Sequence, residues 1–274
     1  MSRVYRALEK AEKEKQDKKK EESLFDILQG EPAHSREGLA VGNLEVGTQR
    51  WEEPSKREES LIFIASPLSA AAEQFRKLRT HILHRSPLRP RVILISSATA
   101  GEGKTMLAVN LALSISQDLA KKVILIDADL RKPNIYPKRY PRGLSEYLSE
   151  EIPLPEIMMN FDSDNFRIIP AGIRSGKSSE LIGSKKMKEM LVQLRESGED
   201  TYVLIDSSPV LPTTEPLLLA EWVDGVIFVV KAGKTPKGSV RRAVELIGRQ
   251  KIIGVVFNRM DLKGPLDYDP YYRY

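Results

Sequence analysis

The sequence predicts an α/β fold in which a mostly parallel β-sheet carries helices on both faces, a three-layer α/β/α arrangement. Three observations carry this expectation. Six short runs, "RVILIS", "KVILIDAD", "FRIIPAG", "YVLIDSSP", "GVIFVVKAG" and "IIGVVFNR", are rich in β-branched residues and nearly continuously apolar, the pattern of strands buried on both faces. Helical stretches at 104–117, 184–197 and 236–249 separate several of them, and alternating strands and helices form parallel sheets through crossover connections. Charged and hydroxyl residues gather at the carboxyl ends of the runs, where open α/β sheets bind ligands.

Taken in order, residues 1–28 read as a charged helical segment in which Val4, Ala7, Leu8 and Ala11 make a short apolar stripe. From Glu12 to Glu22 the chain is almost wholly charged, so a helix there has no face to bury. Residues 29–60, with scattered Gly, Pro and Glu, read as a disordered linker. The ordered domain, 61–262, opens at "SLIFIASP" and continues into a helix, "SAAAEQFRKLRTHILHR", introduced by Pro67 and Ser69. Residues 263–274 form a tail that holds four of the nine tyrosines, Tyr268, Tyr271, Tyr272 and Tyr274. Gly264 and Pro270 keep that tail from prolonging the last helix or strand.

Composition narrows the setting. The chain has no cysteine, which excludes disulfides and thiolate metal sites. It has no apolar run near the ~20 residues that span a bilayer, and its N-terminus lacks the apolar core of a signal peptide. A cytoplasmic location is expected. The net charge is +5, yet residues 1–60 carry 12 Lys/Arg against 14 Asp/Glu. The basic excess therefore belongs to the globular part and suits nucleic acid, anionic lipid or a phosphorylated ligand.

The stretch "RVILISSATAGEGKTMLAVNLALSI" chooses the phosphorylated ligand. It sets a loop, 98–105, between a strand and a helix, with Ala100, Gly101, Glu102, Gly103, Lys104 and Thr105 closing the loop and Met106 following in the helix. Small residues let backbone N–H groups converge on phosphate oxygens, and the helix N-terminus adds a favourable dipole. Lys104 would reach the β- and γ-phosphates, and the Thr105 hydroxyl would ligate magnesium. Ala98 stands where the first glycine of the usual loop belongs. The fold class is therefore that of P-loop NTPases. Two acidic strand ends support the reading. "VILIDADLR" carries Asp127, Asp129 and Arg131 at alternate positions, which project to one side if the chain is extended. "YVLIDSSP" ends a second strand with Asp206, and hard cations prefer such oxygen ligands.

Together "ATAGEGKT", "VILIDADLR" and "YVLIDSSP" resemble the three nucleotide motifs of the bacterial tyrosine kinases, the autokinases of capsule and exopolysaccharide synthesis. The segments "EQFRKLRTHI", "RGLSEYL", "IIPAG" and "SSELIGS" extend the resemblance over residues 61–274. The opening "MSRVYRALEKAEKEK" is similar to autokinases encoded beside exosortase-linked exopolysaccharide genes. Departures are Ala100 for a common proline, Ser207-Ser208 for a more usual Thr-Pro, and Glu215 where an aspartate is common.

The resemblance implies a catalytic domain over 61–262 that binds Mg-ATP and phosphorylates the tail tyrosines of a neighbouring subunit. It implies Lys104 on the phosphates, magnesium organised by Thr105, Asp129 and Asp206, and Asp127 accepting the phenolic proton. Asn258 would recognise adenine. Arg131 would steady transition-state charge or pair with an aspartate. Glu73, Arg76 and Arg79, spaced three apart, would build a ring of subunits or, on a plainer view, make local ion pairs. A separate transmembrane activator of the polysaccharide copolymerase type and a cognate tyrosine phosphatase are implied partners, with no nucleic acid expected. The enzyme would then lie at the inner face of the membrane through its activator. The main alternative is an ATPase switch of the partition or cell-division type. Those proteins carry a signature lysine where this chain has Thr99. A third reading is a structural partner whose ATP site sets assembly.

Overall fold

Six strands follow the six apolar runs, and each central strand shows why its run is continuous. The computed structural model describes residues 67–85, 89–135, 142–161 and 163–259. The segments expected at 1–28 and 29–60, the opening "LIFIAS", and the tyrosine tail lie outside the described residues. Strands β1 (Val92–Ser97), β2 (Lys122–Asp127), β3 (Met159–Phe161), β4 (Ser163–Ile169), β5 (Thr201–Asp206), β6 (Gly225–Lys231) and β7 (Ile252–Asn258) form one sheet in the order β3-β4-β2-β5-β1-β6-β7. All neighbouring pairs are parallel except β3–β4.

Alternate residues of each strand enter two separate cores. Val92, Leu94, Ile124, Ile126, Val203, Ile205, Val226 and Phe228 face one side. Ile93, Ile95, Val123, Leu125, Leu204, Ile227 and Val229 face the other. The second core is closed by α1 (Ala70–Thr80) and α2 (Lys104–Ser116), which contribute Ala72, Phe75, Leu107, Leu111 and Ile115. The first is closed by α3 (Leu144–Ser149), α4 (Ser178–Ile182), α5 (Lys185–Glu196), α6 (Glu215–Trp222) and α7 (Lys237–Ile247). Helix α2 is buried almost all round because the sheet covers one side and α1 the other. This is the expected three-layer arrangement.

The ends of the long helices agree with the sequence reading. Ser69 caps α1 by accepting a hydrogen bond from Ala72 N at 3.1 Å, and Ser184 does the same for α5 from Met187 N at 3.2 Å. The predicted first helix continues beyond Thr80 as one wider π-helical turn, His81–Arg85. The sequence reading left out β3, α3, α4 and α6, of 3, 6, 5 and 8 residues. These are too short to display a period and are held by tertiary contacts instead.

At the amino ends of the strands, Asp224 ties three elements together. Its Oδ2 accepts from Arg91 N and Val92 N, both at 2.9 Å, and its Oδ1 pairs with Arg195 at the end of α5. Replacing Asp224 with Ala strands two backbone donors, and is expected to lower unfolding free energy by about 2 kcal/mol. Urea denaturation of the two proteins, compared at equal slope, checks this.

Candidate functional site

The turn from β1 into α2 is built around two glycines. Gly101 has φ +77° and Gly103 φ +96°, left-handed values that side chains disfavour. A Cβ on Gly103 would also lie 1.9 Å from Asn258 Nδ2. No side chain caps α2, so the N–H groups of its first turn remain available to an anion, reinforced by the helix dipole. Lys104, in that first turn, is largely buried.

Glu102 sits within this anion-binding loop, yet its carboxylate serves the loop's own frame. It is 2% exposed. Its Oε2 accepts from Thr99 N at 2.8 Å, and its Oε1 accepts from the Thr235 hydroxyl after β6. Its backbone carbonyl accepts from Asn258 Nδ2 at 2.8 Å, while Asn258 Oδ1 accepts from Arg259 N at 2.9 Å. Asn258 therefore packs beside the loop, with one of its two amide N–H groups outside these bonds. The part played by Thr235 and the Glu102 side chain had no sequence signal, because the two are 133 residues apart.

Beneath the loop, Asp127 and Asp206 end two adjacent parallel strands in direct register. Both are essentially inaccessible to water. Burial, with the neighbouring Asp127 charge next, pushes the Asp206 carboxyl up to about 8, against a hydrogen bond from Thr105 and the charge of Lys104. Burial also raises Asp127 to about 6, opposed by hydrogen bonds from the N–H groups of Ile135 and Asn134 at 2.9 and 3.0 Å. Asp129 is raised by burial too, and its Oδ1 accepts from Lys132 N at 2.9 Å.

Asp127, Asp129 and Arg131 do not share the extended geometry that the sequence suggests. The strand stops at Asp127. The chain then curls so that Asp127 Oδ1 accepts from Asp129 N at 3.2 Å and Oδ2 holds the amides of 134 and 135. Arg131 points to a different group. Its Nε donates to Glu215 Oε1 at 2.7 Å and to Ser178 Oγ at 3.0 Å, and its Nη2 donates to Ser179 Oγ at 3.1 Å. Glu215 is buried, which opposes its charge, but hydrogen bonds from Ser178, its own backbone and Arg131 hold its carboxyl below the usual range. On α1, Glu73 and Arg76 form a local pair at 2.9 Å, and Arg79 donates to Ser114 O of α2 at 2.6 Å. Arg79 thus helps fasten α1 within its own chain.

The donor set fits a magnesium ion held with a nucleotide. Asp206 Oδ1 is buried without a hydrogen-bond partner, while the Thr105 hydroxyl reaches the same carboxylate. Among the described residues no three His, Cys, Asp or Glu side chains are arranged to hold a metal. A hydroxyl, one or two carboxylates, phosphate oxygens and water form the usual magnesium shell.

Comparison with known proteins bears on what this geometry does. Residues 90–244 match the family model described as AAA domain. Tyrosine-protein kinase YwqD of Bacillus subtilis (strain 168) is 30% identical over 223 residues, covering 79% of this chain and 93% of that protein. Succinoglycan biosynthesis transport protein ExoP of Rhizobium meliloti (strain 1021) is 33% identical over 214 residues, and the match spans 27% of its length. The crystal structure of the chimerical protein CapA2B2 superposes with a TM-score of 0.68 at 28% identity, covering 78% of this chain and 93% of that one.

A carboxyl whose folded pKa is raised binds more protons folded than unfolded, so its contribution to stability falls as pH rises from the ordinary value of 3.8 towards about 8. Asp206→Asn removes that loss. Its stability relative to the parent protein, both free of nucleotide and magnesium, should increase steadily between pH 5 and 8 in paired thermal melts. At the loop, Glu102→Ala should weaken Mg-ATP binding roughly tenfold through the released Thr99 and Thr235 contacts. Glu102→Gln, whose amide oxygen can still accept from Thr99 N while its Nε2 donates to the Thr235 hydroxyl oxygen, should retain most of it. Titration calorimetry, with Thr235→Val completing a double-mutant cycle, measures both.

Proposed function

Because the chain belongs to the bacterial tyrosine-protein kinases, we propose that it is a protein-tyrosine autokinase acting in capsule or exopolysaccharide synthesis and export. Its γ-phosphoryl acceptors are Tyr268, Tyr271, Tyr272 and Tyr274 of a neighbouring subunit. The observation that carries this reading is the registered pair Asp127 and Asp206 beneath a phosphate loop, with Asp206 Oδ1 left without a partner.

In this mechanism the α2 N–H groups and Lys104 hold the phosphates of ATP, with the backbone of 100–106 shaping the loop. Asn258 stands at the adenine. Thr105, Asp206 and Asp129 would hold magnesium, which would supply neutralisation of phosphate charge. The tail phenol attacks the γ-phosphorus, the bond from that phosphorus to the β,γ-bridging oxygen breaks, and ADP leaves with the electron pair. Asp127 receives the phenolic proton. Burial raises its affinity for that proton above an ordinary carboxylate's, although a phenol near pKa ~10 still relies chiefly on positioning. Arg131, engaged by Glu215, shapes the loop edge.

No helix among the described residues is long and apolar enough to cross a membrane. The similarity to part of a succinoglycan biosynthesis transport protein supports a kinase that works with a membrane partner in polysaccharide export, here a copolymerase that would hold it at the inner membrane face. A ring of subunits using Glu73, Arg76 and Arg79 would present each tail to the next site, and a tyrosine phosphatase would reset it.

Incubation with Mg-ATP beside Lys104→Met, trypsin digestion and mass measurement of the peptide "GPLDYDPYYR" test the assignment. Phosphate on that peptide in the native protein alone is expected. An unmodified tail, with the cytoplasmic segment of a candidate activator added, would overturn it.

A further inference from the structure

The autokinase reading leaves open how one tyrosine is chosen from four. Two segments at the carboxyl edge of adjacent strands bear on that choice. After β2, residues 128–135 are fixed to Asp127 and Asp129 by the N–H groups of Asp129, Lys132, Asn134 and Ile135. After β4, which pairs with β2, residues 170–177 are fixed to α3. Leu144 N and Ser145 N donate to the carbonyls of Pro170 and Ala171, Ile173 N donates to Glu146 Oε1, and Ser145 Oγ donates to Ile173 O. Arg131 joins the segments' neighbourhoods through Ser178 and Ser179 at the start of α4.

These two fixed segments display Arg131, Lys132, Arg174 and Lys177, all exposed, and neither carries an exposed carboxylate. Arg131 is partnered by buried Glu215. Among the described residues no carboxylate forms an ion pair with Lys132, Arg174 or Lys177. Arg174 and Lys177 border a cleft of about 750 Å³ that continues along α3, where Glu150, Glu151 and Glu156 line it and Arg142 pairs with Glu156. The basic character is therefore confined to the segments that follow the paired strands β2 and β4.

The tail offers the matching charge at one place. Tyr268 lies between Asp267 and Asp269, whereas Tyr272 and Tyr274 flank Arg273 and Tyr271 has no charged neighbour. We propose that Lys132, Arg174 and Lys177 form a recognition rim for aspartate-flanked tyrosine, whose occupant is the 264–274 segment of a second copy of this chain and whose preferred acceptor is Tyr268. The proposal rests on the autokinase reading and adds substrate selection to it. Exposed charge pairs are individually weak, but two reversed charges against two aspartates shift a competition by roughly tenfold.

The experiment measures initial phosphorylation of each tail tyrosine by tandem mass spectrometry in full-length protein. Arg174→Glu/Lys177→Glu kinase and parent kinase each act on a Lys104→Met copy carrying either the native tail or Asp267→Lys/Asp269→Lys. Parent kinase should modify Tyr268 first on the native tail. The reversed rim should cut the Tyr268 rate about tenfold, leave Mg-ATP affinity unchanged, and recover the rate on the lysine-flanked tail. Tail phosphorylation whose order ignores both changes would overturn the rim while leaving the autokinase standing. Absence of phosphate from every tail tyrosine in the parent protein would overturn both. Loss of binding to phosphatidylserine vesicles by the reversed rim, with the Tyr268 share unchanged, would assign these cations to a membrane surface instead.

Discussion

Asp127 and Asp206 face each other across the β2–β5 ladder, at the ends of strands otherwise composed of buried apolar residues. Two carboxylates placed there cannot both be charged without compensation, since burial and mutual repulsion act in the same direction. The surrounding structure is organised around that constraint. Two backbone N–H groups and the curl of residues 128–135 favour charge on Asp127. Thr105 and Lys104 do the same for Asp206 from the opposite side, at the start of α2. A magnesium-bound nucleotide would complete the neutralisation, so the loop and the acidic pair are two halves of one electrostatic arrangement.

Glu102 presents the same problem in reverse, a negative group inside a site for negative ligands. Its carboxylate turns from the anion side and bonds Thr99 N and Thr235, while its carbonyl takes Asn258. The loop is thereby fastened to the ends of β6 and β7 as well as to β1. This explains why Gly103 tolerates no side chain: the Asn258 amide occupies the space a Cβ would need. It also bears on the alternative of a partition-type switch. Thr99 stands where those proteins carry a lysine, and here its N–H is engaged by Glu102 within the same loop.

Much of this was legible in the sequence because it depends on local pattern. Continuous apolar runs marked the six parallel strands, and the strand–loop–helix order around Lys104 marked the nucleotide site. The aspartates were legible as strand ends, but their pairing was not, because register between β2 and β5 is a property of the sheet. The alternate spacing after Asp127 suggests extended chain where the structure has a curl. Nothing in "DADLRKPNI" states that two distant amides will close on the first carboxylate. The sequence leaves Arg131 between steadying transition-state charge and pairing with an aspartate, and the carboxylate it meets, Glu215, lies 84 residues away.

That pairing also accounts for one of the chain's departures from the family pattern. Where an aspartate is common, Glu215 has one more methylene, and its Oε1 accepts from Arg131, Ser178 and Ser179 together. The three donors come from the segment after β2 and from α4, so one buried carboxylate fixes their spacing. Ser207 and Ser208 are accommodated similarly. Ser207 Oγ donates to Ile95 O at 3.0 Å, and the Ser208 and Thr213 hydroxyls bond at 2.8 Å. Changes that look disruptive in a motif are thus absorbed by hydrogen bonds around the acidic pair.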